Sequence, residues 1–220
     1  MVADRSNPHS TILCLFSGGI DSTGVLHQLM TDAQYVDHPL IVHHIHILNR
    51  ENRFAAEAIA SKQILEYYLQ HSDRPFLITE SVFNSTGFAP LKSPRFPFDM
   101  DVCSFYAGQI CAARPDIRFV AIGLTQTDLA DPISNRRHRA KAIFEATLCL
   151  EPKPLPEYIY PVFDYTKEEI WNLLPPEVRE KTWWCRCPVY DPQNQPHACG
   201  NCKTCRQVAE FLNPSISFKS

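Results

Sequence analysis

The sequence predicts a doubly wound parallel α/β sheet, and three observations carry that prediction. Short apolar runs rich in Ile, Val and Leu alternate with segments whose apolar residues recur at helical spacing. The coarse order is βαβαβαβαβα, as a parallel sheet with crossover helices requires. The first strand-like run ends in a Ser- and Gly-rich loop that opens directly into a helix, and open sheets of this kind bind ligands beyond the carboxyl ends of their strands.

Thr11 to Phe16 is the first strand, every residue being apolar or β-branched, and Val25, Leu26, Leu29 and Met30 mark the helix after the loop. Leu40 to Leu48 is a strand, followed by a long amphipathic helix from Glu51 to Gln70 with Phe54, Ala58, Ile59, Ile64, Leu65 and Tyr68 in its apolar pattern. Phe76 to Thr79 reads as a short strand and Ser81 to Pro97 as an irregular functional loop. Asp99 to Ala113 is a helix, Arg118 to Gly123 a strand ending in Gly, Asn135 to Leu150 a helix and Tyr158 to Val162 the last strand. Thr166-Lys167-Glu168-Glu169 is a capping box that starts a short helix through Leu174, and Thr204 to Leu212 is the final helix. The 18 prolines concentrate in Phe88 to Pro97, Glu151 to Pro161 and Pro175 to Pro196, which read as connectors.

A chain of 220 residues, 45% apolar and 20% charged, is enough for one substantial core. We expect one domain over 1–220, with 182–212 as a metal-binding segment. No apolar run is long enough to span a membrane. A net charge of -3 gives no global basic footprint for nucleic acid. The local run Arg136, Arg137, His138, Arg139 and Lys141 reads as a solvated helix face or as a set of phosphate contacts. His44 and His46 fall on one face of their strand, with His43 on the other, and suit packing or a substrate-side role as well as a metal.

The run Phe16-Ser17-Gly18-Gly19-Ile20-Asp21-Ser22-Thr23 carries the clearest chemistry. Two glycines let backbone N–H groups press against phosphate oxygens, Ser17 and Ser22 add hydroxyl donors, and the following helix adds positive potential. It lacks the Lys-Ser/Thr pair of Walker A and is not G-x-G-x-x-G. Ser-Gly-Gly-x-Asp-Ser after a strand resembles the signature of the PP-loop ATP pyrophosphatases, which cut ATP between its α and β phosphates. The resemblance implies an adenine nucleotide alpha hydrolase-like fold with the loop holding pyrophosphate.

Cys199, Cys202 and Cys205 stand three apart, with Cys185 and Cys187 a loop upstream. Two interlocked C-x-x-C units plus one upstream thiolate make a four-sulfur set for structural zinc, with no open position for catalysis. An iron–sulfur cluster is compatible with the same spacing. Disulfides are disfavoured because nine cysteines is an odd number and the N-terminus, Met1 to Ser10, lacks the apolar core of a signal peptide; we expect a cytoplasmic protein. Cys14, Cys103, Cys111 and Cys149 read as small core residues.

Taken with Tyr160-Pro161-Val162-Phe163-Asp164-Tyr165-Thr166-Lys167-Glu168-Glu169-Ile170, Thr182-Trp183-Trp184-Cys185 and Cys199-Gly200-Asn201-Cys202-Lys203-Thr204-Cys205-Arg206, the loop gives a chain that resembles the 7-cyano-7-deazaguanine synthase family. The resemblance implies an ATP- and Mg2+-dependent ligase that adenylates 7-carboxy-7-deazaguanine and transfers it to ammonia, forming an amide and then a nitrile. It assigns zinc to Cys185, Cys199, Cys202 and Cys205, leaving Cys187 a near neighbour, and nucleotide contacts to Phe16 through Thr23. Asp21 is our choice for a magnesium contact, and Ser17 and Ser22 for phosphate. Lys167 reads as a phosphate contact or a solvated surface Lys. Asp128 and Asp131 read as substrate or metal contacts or as solvated loop acids.

The middle of the chain departs from that family. Pro97-Phe98-Asp99-Met100 stands where the synthases carry Pro-Gly-Arg-Asn, and Asp131-Pro132-Ile133-Ser134-Asn135-Arg136 where they carry Tyr-Pro-Asp-Cys-Arg. Divergent members are associated with bacterial antiviral systems, so a protein amine is an alternative acceptor. A tRNA-modifying PP-loop enzyme shares the first motif. The oligomeric state is left open, a homodimer included.

Overall fold

The computed structural model describes residues 10–91, 98–125, 136–148 and 155–212. Five parallel strands form one sheet in the order β3-β2-β1-β4-β5: β1 Thr11–Phe16, β2 Leu40–Leu48, β3 Leu77–Asn84, β4 Ile117–Ala121 and β5 Glu157–Ile159. The central strand β1 is buried over its whole length, which its apolar and β-branched sequence dictates. It pairs with β2 through Ile12↔Leu40 to Phe16↔His44 and with β4 through Ile12↔Phe119 to Cys14↔Ala121.

Helices cover both faces. On one, α1 Ile20–Thr31 and α2 Phe54–His71 pack with α5 Lys167–Leu173 and α7 Lys203–Leu212 around Leu26, Leu29, Ile64, Ile170 and Val208. On the other, α3 Asp99–Ala113 and α4 Arg136–Thr147 enclose Leu13, Ala107, Cys111, Ile117 and Phe144. The chain steps outward from β1 to β3, returns to the other edge of β1 at β4, and so creates a switch point between β1 and β4. The doubly wound sheet predicted from the sequence is the one observed.

Several boundaries differ from expectation for local reasons. Helix α2 begins at Phe54 rather than Glu51, because Asn52 adopts a left-handed φ of 51° and Asn49 Oδ1 accepts the Glu51 N–H at 2.9 Å, making a turn of the predicted first residues. Strand β3 runs on to Asn84, so the predicted loop from Ser81 shrinks; Thr86–Leu91 then form a 3-10 turn. Strand β4 starts one residue early, at Ile117, and ends at Ala121. Strand β5 stops at Ile159, since Pro161 has no N–H for a ladder and residues 160–165 form turns through Phe163 N–H to the Tyr160 carbonyl, 3.0 Å. The connector 175–196 contains a helical turn, α6 Pro176–Arg179, and most of a small antiparallel hairpin, β6 Val189–Tyr190 with β7 Pro196–His197. Asp128, Asp131, Asn135, Pro97 and Cys149 lie outside the described residues.

Candidate functional site

The loop between β1 and α1 is shaped by close packing. Gly18 has φ +73°, and a Cβ there would lie 2.8 Å from the Ser61 backbone nitrogen and 3.0 Å from Ala60 Cβ on α2. Glycine is therefore required twice over, by backbone conformation and by space. Gly19 is the N-cap of α1, and the α1 N-terminus lies under the end of β4: a Cβ on Gly123 would stand 2.9 Å from the Ser22 nitrogen. Loop and β4 end thus meet at the switch point, where a doubly wound sheet opens its crevice.

Ser17 and Ser22 face one another inside this loop. Their hydroxyls are 3.0 Å apart, Ser17 Oγ accepts the Gly19 N–H at 3.3 Å, and Ser22 Oγ donates to the Gly19 carbonyl at 3.1 Å. An arriving anion can take over the Gly19 donor, which is half-exposed, in place of this long internal bond. Phe16 and Ile20 send their side chains into the core, and Thr23 is fully buried, so these three can offer a ligand only main-chain groups.

Lys167, the first residue of α5, bonds its ammonium to the Asp21 carboxylate, and both are partly buried. The capping box predicted for Thr166 and Glu169 is present, with Thr166 Oγ1 accepting the Glu169 N–H at 3.2 Å and Glu169 Oε2 accepting the Thr166 N–H at 2.7 Å. That box fixes the first turn of α5 and so aims Lys167 at Asp21. The arrangement sets one carboxylate and one ammonium at the rim of the loop.

Sequence reasoning missed the support beneath. His44 donates through Nδ1 to the Phe16 carbonyl at 2.9 Å and lies 3.1 Å from Ser61 Oγ, tying the end of β1 to α2. Burial lowers its pKa, against the pull of the Phe16 hydrogen bond. His46 lies on the same face, with ring centroids 4.5 Å apart, while His43 on the other face bonds Thr79 Oγ1 and Ser81 Oγ. The three histidines thus serve packing and hydrogen bonding. A second unpredicted feature is an ion cluster at the end of β2, where buried Arg53 bonds Glu51 at 2.7 Å and also pairs with Glu57 and Asp99. Burial pushes the Glu57 carboxyl up to about 7 despite Arg53 beside it. The Pro-Phe-Asp-Met departure was the available signal, since Asp99 belongs to this cluster.

The thiols of Cys185, Cys199, Cys202 and Cys205 all lie within 4.8 Å of one another. Cys187 is exposed and outside the group. Main-chain N–H groups of Cys199, Cys202 and Cys205 point at the sulfurs of Cys185, Cys199 and Cys202, at 3.2, 3.4 and 3.5 Å. Burial of Cys202 is outweighed by such donors, Arg186 N–H first, and its thiol falls to about 6. With Zn–S bonds of about 2.3 Å, four sulfurs on a tetrahedron stand about 3.8 Å apart. The observed gathering fits one four-thiolate ion, whereas a cube of four irons holds its thiolates farther apart. All described cysteines are free of disulfides. Trp184 packs edge-on against Trp171 at 5.7 Å, a core role rather than a stacking platform.

A cavity of about 370 Å³ opens between α2 and this segment, lined by Ala60, Gln63, Trp183, Cys185 and His197 among others. Neither Ser17 nor Asp21 lines it, so it is separate from the loop's rim. No helix among the described residues is long and apolar enough to cross a membrane.

No protein-family model and no curated protein matches the sequence. A solved structure of the U34-tRNA thiolase NcsA from Methanococcus maripaludis with its [4Fe-4S] cluster is similar, with a TM-score of 0.50 and 16% identity. The match covers 93% of this chain and 64% of that one, so this chain spans less than two thirds of its neighbour's length. At that identity the likeness establishes the fold alone, a parallel α/β sheet covered by helices, which here carries a cysteine cluster able to bind a metal.

Proposed function

We propose that this chain cleaves ATP between its α and β phosphates and uses the AMP to activate a carboxylate of a 7-deazaguanine. The observation that carries the reading is the Ser17–Ser22 loop with its Asp21–Lys167 rim at the switch point of the sheet. In this reading a carboxylate oxygen of 7-carboxy-7-deazaguanine attacks the α phosphorus, the bond to the bridging oxygen breaks, and pyrophosphate leaves. Ammonia then displaces AMP from the acyl carbon to give an amide; a protein amine in its place gives a conjugate.

The chain's residues have distinct parts. The Gly19 N–H and the hydroxyls of Ser17 and Ser22 take oxygens of the departing pyrophosphate, replacing the bonds they now make to each other. Asp21 would hold the Mg2+ that accompanies ATP, and Lys167, released from Asp21, would meet phosphate charge. Cys185, Cys199, Cys202 and Cys205 would hold a structural zinc, as their closed four-sulfur set and short spacing favour.

A second reading, modification of tRNA, is favoured by the tRNA thiolase among similar structures. The basic helix gives it little support. Arg139 is paired with Asp101 at 2.9 Å and stacked on Phe98, Arg137 stacks on Tyr160, and Lys141 lies 3.7 Å from Glu145.

Mass spectrometry of reactions containing ATP, ammonia and 7-carboxy-7-deazaguanine tests the proposal. AMP, pyrophosphate and an amide or nitrile are expected. ADP as product rejects the cleavage, and AMP formation that requires tRNA instead of the deazaguanine selects the second reading.

A further inference from the structure

The segment that carries the first thiol is tied to the phosphate loop through its main chain. Trp183 N–H donates to the Gly18 carbonyl at 2.8 Å, and its indole Nε1 donates to the Cys185 carbonyl, also at 2.8 Å. One residue therefore bridges the turn of the loop and a member of the thiol group. The Gly18 carbonyl belongs to the same peptide unit as the Gly19 N–H, the donor turned into the loop. Fixing one end of that planar unit orients the other.

A second tie runs through Arg186, between Cys185 and Cys187. Its guanidinium bonds Glu51 at 2.8 and 2.9 Å and reaches Asp99 at 3.3 Å, two carboxylates that also hold Arg53. Thiol group, β2–α2 turn and α3 start are joined by one charged network. Apolar packing offers no substitute, since no residue from Arg186 to Cys202 is buried. The segment's shape rests on its thiols and on these polar ties.

We infer that the four-cysteine centre is a positioning element for the Ser17–Ser22 loop, acting on it through Trp183, with Arg186 as the positioning residue that holds the Trp183–Cys187 segment to the β2–α2 turn. With the thiolates gathered on a metal, Trp183 holds the Gly18–Gly19 peptide so that its N–H faces an incoming phosphate. With the thiolates released, Trp183 and Arg186 lose their fixed base and nucleotide affinity falls. Coupling of this kind is reciprocal, so bound nucleotide also raises the affinity for the metal by the same factor. The inference rests on the nucleotide reading of the loop given above.

The test uses the full chain loaded with zinc, with metal content measured. Zinc release to a competing chelator is followed to equilibrium with and without saturating α,β-methylene ATP, and release that needs several-fold more chelator with the analogue is expected. Arg186→Ala, which removes no thiol, should keep its zinc, bind the analogue about fivefold more weakly and lose the protection, and Arg186→Lys should restore part of both. Analogue binding without any effect on zinc release in the parent protein overturns the inference and leaves the nucleotide reading standing. Parent-like affinity and protection in Arg186→Ala overturns the role of Arg186. No analogue binding to the zinc-loaded parent overturns both readings together.

Discussion

The Ser17–Ser22 loop is flanked by two regions that hold it by different physics. On the α2 side the contact is steric: Gly18 lies so close to Ser61 and Ala60 that no side chain fits. On the 182–205 side it is polar and chemical, one main-chain bond from Trp183 backed by an arginine and four thiols, over a stretch with almost nothing buried. Packing gives a surface its shape whatever is dissolved around it. A thiol centre gives shape only while its chemistry is intact, and so the same loop has one fixed wall and one conditional wall.

The sharpest way to break the comparison is Gly18→Ala. It forces a left-handed residue and a Cβ into the backbone of α2, so stability should fall by about 2 kcal/mol or more and nucleotide binding by at least 100-fold, with metal content unchanged. Calorimetric titration alongside elemental analysis reads both, and parent-like binding would remove the steric wall from the account. Cys202→Ser should act on the other wall. We expect loss of the metal and proteolytic nicking within 186–202 at least tenfold faster, while circular dichroism of the sheet and helices stays near the parent's.

Smaller changes sharpen the contrast. Thr166→Ala removes the cap that aims Lys167 and should cost about 1 kcal/mol in denaturant unfolding. The smallest effect concerns pH. Burial, with His44 adding to it, lowers His43 to about 4, so in the folded state it stays neutral where the unfolded chain protonates. The stability that comes from keeping it neutral is complete above pH 6.5 and is lost as pH falls through about 4. His43→Gln should flatten that part of the profile in unfolding curves taken between pH 4 and 7; an unchanged slope would show that His43 does not set it.

What the sequence made legible follows the same divide. The loop could be read because its glycines and serines act within eight residues of one another, and β1, β2 and α3 because their apolar patterns are strong and local. The length of β3 could not: as an edge strand it alternates partly buried and exposed residues, so its second half resembled a loop. The start of α2 was hidden because Asn52 turns left-handed and Glu51 and Arg53 answer to partners far along the chain. Cysteine spacing announced a cluster able to bind a metal but left Cys185 and Cys187 open; the resemblance chose Cys185, and in the fold Cys185 is buried within the group while Cys187, two residues on, is exposed. Two-residue strands such as β6 and β7 are too short to leave any periodic trace.

The strand order also sets a timetable for synthesis. The first edge of β1 is covered as soon as β2 is made, through Ile12↔Leu40, while the second waits for β4, through Ile12↔Phe119. At ribosomal rates of about 5–20 residues per second, the interval from Leu48 to Ile117 lasts on the order of 3–14 seconds. Throughout it the nascent chain carries an apolar six-residue strand with one row of hydrogen-bonding groups open to any neighbouring chain. The strand that ends in the Ser17–Ser22 loop is thus the first strand of its sheet to be made and among the last to be closed on both sides, which makes it the point where a chaperone has most to protect.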